Sequence, residues 1–353
     1  MYSRDEIYMR RCFELAEHGL GNTKTNPLVG SVIVCDDRII GEGFHHEYGG
    51  PHAEVNAIRS VKDKSLLERS TIYINLEPCS HFGKTPPCST LIQHYKIPRA
   101  VICNWDPFPS VHGRGISALK NAGIEVVEGV LKDEGNWINR RFLTFHQKKR
   151  PYIILKWAET ADELIDMERK SGDVGNINWI TDEIGRTLVH KWRSEEAGLL
   201  VGTNTVITDN PRLNVRRWTG NSPLRIVFDR NGRIPETANI LDSSQDTLVF
   251  TCIQDLHELK ANTVIIDHDY SLEDIMSELY DRKIISVIVE GGKKILKAFI
   301  SSGLWDEARV FKGSVTFGRG VQAPKIDTPP AEIIPLKDST LNIYLNKSQA
   351  GLI

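Results

Sequence analysis

Long apolar runs are missing from this chain. No segment approaches the roughly 20 apolar residues that cross a bilayer, and the stretch after Met1 is charged rather than apolar. Neither a membrane protein nor a secreted one is expected. The six cysteines are therefore expected in a reducing cytoplasm, as thiols, ligands or catalytic groups and not as a disulfide framework. An excess of one charge sign is missing too: 44 Lys and Arg stand against 46 Asp and Glu, a formal net charge of −2. No global field then recruits nucleic acid or an anionic membrane. The one compact basic run, Lys148-Lys149-Arg150, reads as a solvated linker. Repeats and low-complexity segments are also absent. What remains is an ordinary globular balance, 40% hydrophobic and 25% charged over 353 residues, a length that suggests two domains.

Patterning within the chain supports that division. Ser3-Arg4-Asp5-Glu6 resembles a capping box before a helix with an apolar stripe at Met9, Cys12, Phe13 and Ala16. Val29–Cys35 and Arg38–Phe44 read as strands joined at Asp36-Asp37. A helix is predicted over His52–Val61, a strand over Thr71–Leu76, a helix over Ser89–Tyr95, a strand over Ala100–Asn104 and a helix over Ile116–Asn121. Alternation of this kind makes a layered α/β domain. The polar, basic stretch Phe145–Pro151 places the boundary, giving domains at 1–146 and 151–353. A second α/β series follows, with strands at Tyr152–Trp157, Gly198–Gly202, Leu224–Asp229, Thr247–Thr251 and Ser286–Glu290.

Cys12, Cys35, Cys103 and Cys252 lie among apolar residues and read as small core residues. Cys79 and Cys88 do not. With His52 they form a set of one imidazole and two thiolates, which suits a catalytic zinc (Zn2+) with an open fourth position for water. Glu54, two residues after the histidine, can shuttle a proton between that water and a leaving amine. His-x-Glu, then Pro-Cys and a second cysteine, is a zinc-deaminase signature, although the cysteines here are nine residues apart, a longer spacing than usual. The alternative is a structural zinc knuckle, for which His81 is the nearby fourth ligand. Glu54 has no purpose in that reading.

Asn26-Pro27-Leu28-Val29-Gly30, His52-Ala53-Glu54, Leu76-Glu77-Pro78-Cys79-Ser80-His81 and Gly83-Lys84-Thr85-Pro86-Pro87-Cys88 resemble the bifunctional deaminase–reductase family of riboflavin biosynthesis. Asp106-Pro107 and Gly113-Arg114-Gly115-Ile116 extend the match. The resemblance implies a cytidine deaminase-like α/β/α domain that deaminates a diamino-pyrimidinone bearing a ribosylamino 5′-phosphate. It makes His52, Cys79 and Cys88 the ligands of one zinc ion per chain and Glu54 the proton shuttle. Asn26 would hydrogen-bond the sugar or ring, and Lys84 would contact phosphate.

In the second half, Glu290-Gly291-Gly292 ends an apolar strand where a helix begins. That turn is either an anion site or a plain tight turn. Lys156-x-Ala158, Trp179-Ile180-Thr181, Arg193, Val201-Gly202, Thr205-Val206, Asp209-Asn210-Pro211, Leu213, Arg216 and Glu290-Gly-Gly resemble the same family's reductase half. The resemblance implies a dihydrofolate reductase-like α/β fold that uses NADPH to reduce the ribose to a ribityl chain. Ala158, Trp179, Thr205, Asp209 and the segment from Gly292 would contact the cofactor. Arg193, Leu213, Arg216 and Glu290 would hold the phosphorylated substrate. The chain departs from the pattern at Thr160-Ala161-Asp162-Glu163, where Glu163 replaces a glycine, at Ile177 and at Ala197. Those departures keep open a second reading, a deaminase whose C-terminal half only dimerises or holds substrate. The partners expected are small phosphorylated pyrimidines, with neither nucleic acid nor membrane, and the assembly expected is a homo-oligomer, a dimer or tetramer.

Overall fold

Asp36 and Asp37 both adopt positive φ, 50° and 59°, which turns one strand back on the next with the twist a two-residue hairpin needs. The turn joins β1 (Gly30–Cys35) to β2 (Arg38–Phe44). The structure, a computed structural model, describes residues 2–80, 86–108, 112–169, 174–175, 178–254 and 261–346. It divides into two units, residues 1–149 and 150–353.

In the first unit, α1 (Arg4–Glu17) starts from the expected capping box: Ser3 accepts from the Glu6 N–H and Glu6 from the Ser3 N–H. After the hairpin come α2 (Ala53–Ser60), β3 (Thr71–Leu76), α3 (Cys88–His94), β4 (Arg99–Asn104), α4 (Arg114–Asn121) and β5 (Glu125–Glu128). Two further helices, α5 (Lys132–Ile138) and α6 (Arg140–Lys148), complete it. The sheet runs β2-β1-β3-β4-β5, antiparallel through β3 and parallel from β3 to β5. One face packs Ile33, Ile72, Ile74, Ala100 and Ile102 against residues of α2 and α4; the other packs Val32, Tyr73 and Val101 against α1. The basic run is not a solvated linker. α6 carries the chain as far as Lys148, Lys149 caps it at φ 55°, and Arg150 is buried with its guanidinium on Asp306 at 2.6 Å. Buried Phe142, Leu143 and Phe145 supply the apolar face that makes this polar stretch a helix.

The second unit begins with β6 (Tyr152–Glu159) and β7 (Leu164–Met167), then α7 (Glu183–Glu195), β8 (Gly198–Gly202), α8 (Thr203–Asp209), β9 (Leu224–Phe228), β10 (Thr247–Thr251) and β11 (Asn262–Ile265). It continues through α9 (Leu272–Asp281), β12 (Ser286–Gly291), α10 (Lys293–Ser302) and β13 (Glu307–Gly313) to β14 (Gly320–Gln322), β15 (Glu332–Pro335) and β16 (Ser339–Leu345). Its sheet runs β11-β10-β9-β8-β12-β6-β13-β16-β15. The first seven strands are parallel, and β16 and β15 close one edge antiparallel. β7 and β14 form a separate ribbon. Burial on both faces explains why β8, β10 and β12 read as near-continuous apolar runs. β12 returns between β8 and β6 after the chain has moved outward to β11. That reversal opens a crevice at the carboxyl ends of the strands, where parallel α/β sheets take ligands.

Candidate functional site

In the first unit the cluster forms where three segments end. His52 is the N-cap of α2, Cys79 follows the end of β3, and Cys88 opens α3. His52 Nδ1 lies 3.6 Å from Cys79 Sγ and 3.4 Å from Cys88 Sγ, and the three atoms lie within 4.8 Å of one another. Tetrahedral zinc at ordinary Zn–N and Zn–S lengths places nitrogen and sulfur about 3.5 Å apart. The residues fit the ion. Among the described residues no other His, Cys, Asp or Glu cluster of this kind occurs.

Cys79 is seated by its surroundings: the Cys88 N–H donates to its sulfur at 3.3 Å, and the Ser89 N–H and hydroxyl both donate to its carbonyl. The Cys88 thiol donates to Cys79 and, helped by His52, holds the Cys79 pKa down at about 4; Cys88, beside that thiolate and buried, is pushed up. The Cys79 thiolate raises His52 to about 9. Glu54, in the first turn of α2 and 3% exposed, has its pKa raised by burial.

Asn26 is brought in by a segment with little freedom. The side chains of Asn75 and Asn139 both grip the Leu28 backbone, and a Cβ on Gly30 would lie 2.0 Å from the Cys12 carbonyl. Asn26 Nδ2 meets His45 Nε2 at 3.0 Å, and His45 Nδ1 meets the Pro51 carbonyl. A carbonyl only accepts, so Nδ1 carries the proton, Nε2 accepts from Asn26, and the Asn26 Oδ1 is left for a ligand. Glu77 stands in the Glu-Pro-Cys motif with a role its neighbours do not reveal. Its carboxylate, 4% exposed, accepts from the N–H groups of Asp106, Gly113, Gly115 and Ile116. It thereby caps the first turn of α4, which the Gly113–Ile116 motif forms. Lys84 and His81 lie outside the described residues.

In the second unit, Ala158, Trp179, Thr205, Asp209 and Gly292 line one cavity together with Arg193, Leu213, Arg216 and Glu290. Its volume is about 2090 Å³, ample for a dinucleotide and a nucleotide-sized substrate. At its floor Gly291 and Gly292 adopt φ 132° and 74°, positions only glycine takes readily, and the chain enters α10. A Cβ on Gly292 would press to 3.2 Å from Thr205 Oγ1. Asp209 is held at 2.7 Å by Arg169, which also binds Asp166 of β7.

The two arginines expected to grip phosphate do not form a pair. Arg193 places Nε and Nη2 on the two carboxylate oxygens of Glu290 at 2.8 and 2.6 Å and donates Nη1 to the Asn214 carbonyl. It is an anchor for Glu290. Lys156 Nζ reaches the same carboxylate at 3.4 Å. Burial lowers the Lys156 pKa, while the cations beside Glu290 bring that carboxyl down to about 2 against the cost of burial. Arg216, by contrast, makes no carboxylate contact among the described residues; its guanidinium meets only Asn214 Oδ1, at 3.2 Å. Burial and the nearby Arg193, Arg217 and Arg212 lower its pKa, outweighing the Glu290 carboxylate that Arg193 already holds.

Glu163 does occupy a glycine-like conformation, φ 61°, but its side chain is half exposed, lies 3.8 Å from Lys325 and is not on the cavity wall. Ile177 lies outside the described residues.

Comparisons with known proteins agree with this division. Residues 2–104 match the cytidine and deoxycytidylate deaminase zinc-binding region, and residues 151–346 match the RibD C-terminal domain. The riboflavin biosynthesis protein RibD of Aquifex aeolicus is 38% identical over 90% of this chain and 89% of its own length. That of Escherichia coli is 35% identical over 87% of each. A solved Thermotoga maritima structure, described as a diaminohydroxyphosphoribosylaminopyrimidine deaminase/5-amino-6-(5-phosphoribosylamino)uracil reductase, superposes with a TM-score of 0.87 at 37% identity, covering 96% of this chain and 97% of that one. A zinc-type cluster in one unit, a glycine-floored cavity in the other and likeness along nearly the whole chain have one explanation: the chain belongs to the RibD family of riboflavin biosynthesis proteins.

Proposed function

We propose that residues 1–146 deaminate 2,5-diamino-6-ribosylamino-4(3H)-pyrimidinone 5′-phosphate and that residues 151–353 reduce the resulting aminouracil's ribosyl group to ribityl with NADPH. The observation that carries this reading is the three-donor cluster with a buried carboxyl, Glu54, beside it. Zinc bound by His52, Cys79 and Cys88 supplies Lewis-acid activation of water. The chain's own part is proton transfer and orientation. Glu54, with its pKa raised by burial, takes a proton at a carboxylate oxygen and returns it to the departing amine. Asn26 Oδ1, oriented through His45, accepts from the substrate, and Lys84 contacts its phosphate.

In the second unit NADPH supplies the hydride. The backbone N–H groups after Gly291-Gly292, at the start of a ten-residue helix, suit the cofactor's phosphates. Ala158, Trp179, Thr205 and Asp209 line the remainder of its path. Lys156, held on Glu290 by the same carboxylate that Arg193 anchors, is a buried N–H donor for the sugar oxygen that must gain a proton as the ring opens. Leu213 and Arg216 hold the substrate, Arg216 through its phosphate. The protein works in the cytoplasm as a dimer or tetramer; no helix among the described residues is long and apolar enough to cross a membrane.

The test incubates purified protein with the diamino-pyrimidinone phosphate, with and without NADPH, and follows ammonia release and nicotinamide absorbance separately. Ammonia release in both samples and absorbance loss in the second is the expected result. Ammonia without absorbance loss leaves a deaminase alone.

A further inference from the structure

Helical spacing places His190 one turn before Arg193 on α7, and both line the cavity. His190 is 4% exposed. Its Nδ1 takes the backbone N–H of Arg216 at 3.3 Å, so Nδ1 is an acceptor and the proton sits on Nε2. Among the described residues Nε2 has no hydrogen-bond partner, yet it is not one of the buried unpartnered atoms. A ring that is otherwise enclosed therefore offers one N–H to the cavity. The charged groups facing it are Arg193, Arg216, Arg217 and Glu290. Glu290 is already taken by Arg193 and Lys156, and Arg217 pairs with Glu183. What the site lacks is an anion, and what it can add cheaply is a donor without further charge.

We infer that His190, fixed as the Nε2–H tautomer by the Arg216 backbone, is a substrate-binding donor that holds the sugar phosphate at the Arg216 end of the cavity. The inference rests on the reductase reading for the identity of the ligand. Burial and the flanking Arg193 and Arg216 lower the His190 pKa to about 4, so the ring stays neutral where the enzyme works. The arrangement also explains why the residue is a histidine: one nitrogen seats the loop carrying Arg216 while the other serves the ligand.

Two variants separate those tasks. Asparagine keeps an acceptor near the Nδ1 position and removes the Nε2 donor; glutamine keeps an N–H near the Nε2 position and loses the acceptor. Binding of ribose 5-phosphate to the full-length protein is measured by titration, with ribose as the control, so the result does not depend on turnover. His190→Asn is expected to weaken ribose 5-phosphate about tenfold or more, His190→Gln markedly less, and neither to change the response to ribose. Equal affinity of wild type and His190→Asn would overturn the proposal, as would equal losses in both variants or no wild-type preference for the phosphate. NADPH oxidation by the wild type with the deaminated substrate is followed in parallel. Its absence would sink the reductase reading while leaving the binding result to stand or fall alone.

Discussion

The two units solve the same problem, holding polar groups ready for a ligand, in opposite ways. In the first, three donor atoms suited to a metal lie within 4.8 Å of one another beside a buried carboxyl, and each is placed by a strand end or a helix start. In the second, the groups are spread from Lys156 to Gly292 around a cavity of about 2090 Å³, with Glu290 held by Arg193 and Lys156, Asp209 held by Arg169, and Arg216 without a carboxylate partner among the described residues. The compact site depends on single atoms. The open one depends on charge balance and on loops.

The comparison breaks most visibly at Glu54. Glu54→Gln is expected to lower deamination by about 10²- to 10⁴-fold, with metal content and reduction unchanged. Near-normal ammonia release would remove Glu54 from the proton path.

The next effect separates the two arginines. Arg193→Ala takes from the buried Glu290 carboxylate its two-point partner, leaving it only the longer Lys156 contact, and is expected to cost about 3–5 kcal/mol in unfolding of the second unit. Arg216→Ala is expected to leave stability within about 0.5 kcal/mol, since that residue is exposed and makes no ion pair among the described residues. It should instead weaken the phosphorylated substrate about tenfold. Similar denaturation midpoints for the two variants would show that the anchor and the clamp are not distinct.

Acid sharpens the contrast further. His190 in the folded chain sits at about 4, below its ordinary 6.5, so the unfolded chain takes up a proton that the folded one refuses. Stability from this source is complete above pH 6.5 and is lost as pH falls towards 4. Glu290, lowered from 4.5 to about 2, adds stability that is present above pH 4.5 and is lost as pH falls towards 2. Melting of the second unit should therefore shift down in two stages, and His190→Asn should flatten the upper stage alone. An unchanged slope between pH 6.5 and 4.5 in that variant would contradict the assignment.

The smallest effect is expected at Glu163. Replacing it with glycine relieves a left-handed backbone, partly offset by the greater entropy glycine gives the unfolded chain, for a net gain of about 0.5–1 kcal/mol. Reduction kinetics should not move, because the side chain faces Lys325 and not the cavity. A changed KM for NADPH would mean that the glutamate reaches the cofactor after all.

Legibility followed the same divide. His52, Glu54, Cys79 and Cys88 could be read because metal ligation demands rare residue types at short spacing, and strands such as Thr71–Leu76 and Gly198–Gly202 could be read from their unbroken apolar runs. α6 was hidden because its buried face is interrupted by the basic residues that made Phe145–Pro151 look like a linker. Glu77 and Lys156 stand inside recognisable motifs, and His45 and His190 outside them, but the role of none of the four is written in its neighbours. Each acts through a partner distant in sequence: His45 through Asn26, Glu77 through Gly113–Ile116, Lys156 through Glu290 and His190 through Arg216.

The sequence by itself determined the zinc-type donor set, the two α/β series and the glycine pair at the floor of the second cavity, because each follows from residue type and near-neighbour spacing. Which arginine anchors a carboxylate and which keeps its guanidinium clear of one was decided only by the tertiary structure. Arg193 and Arg216 are alike in chemistry, and β12 places the Glu290 carboxylate against one of them and not the other.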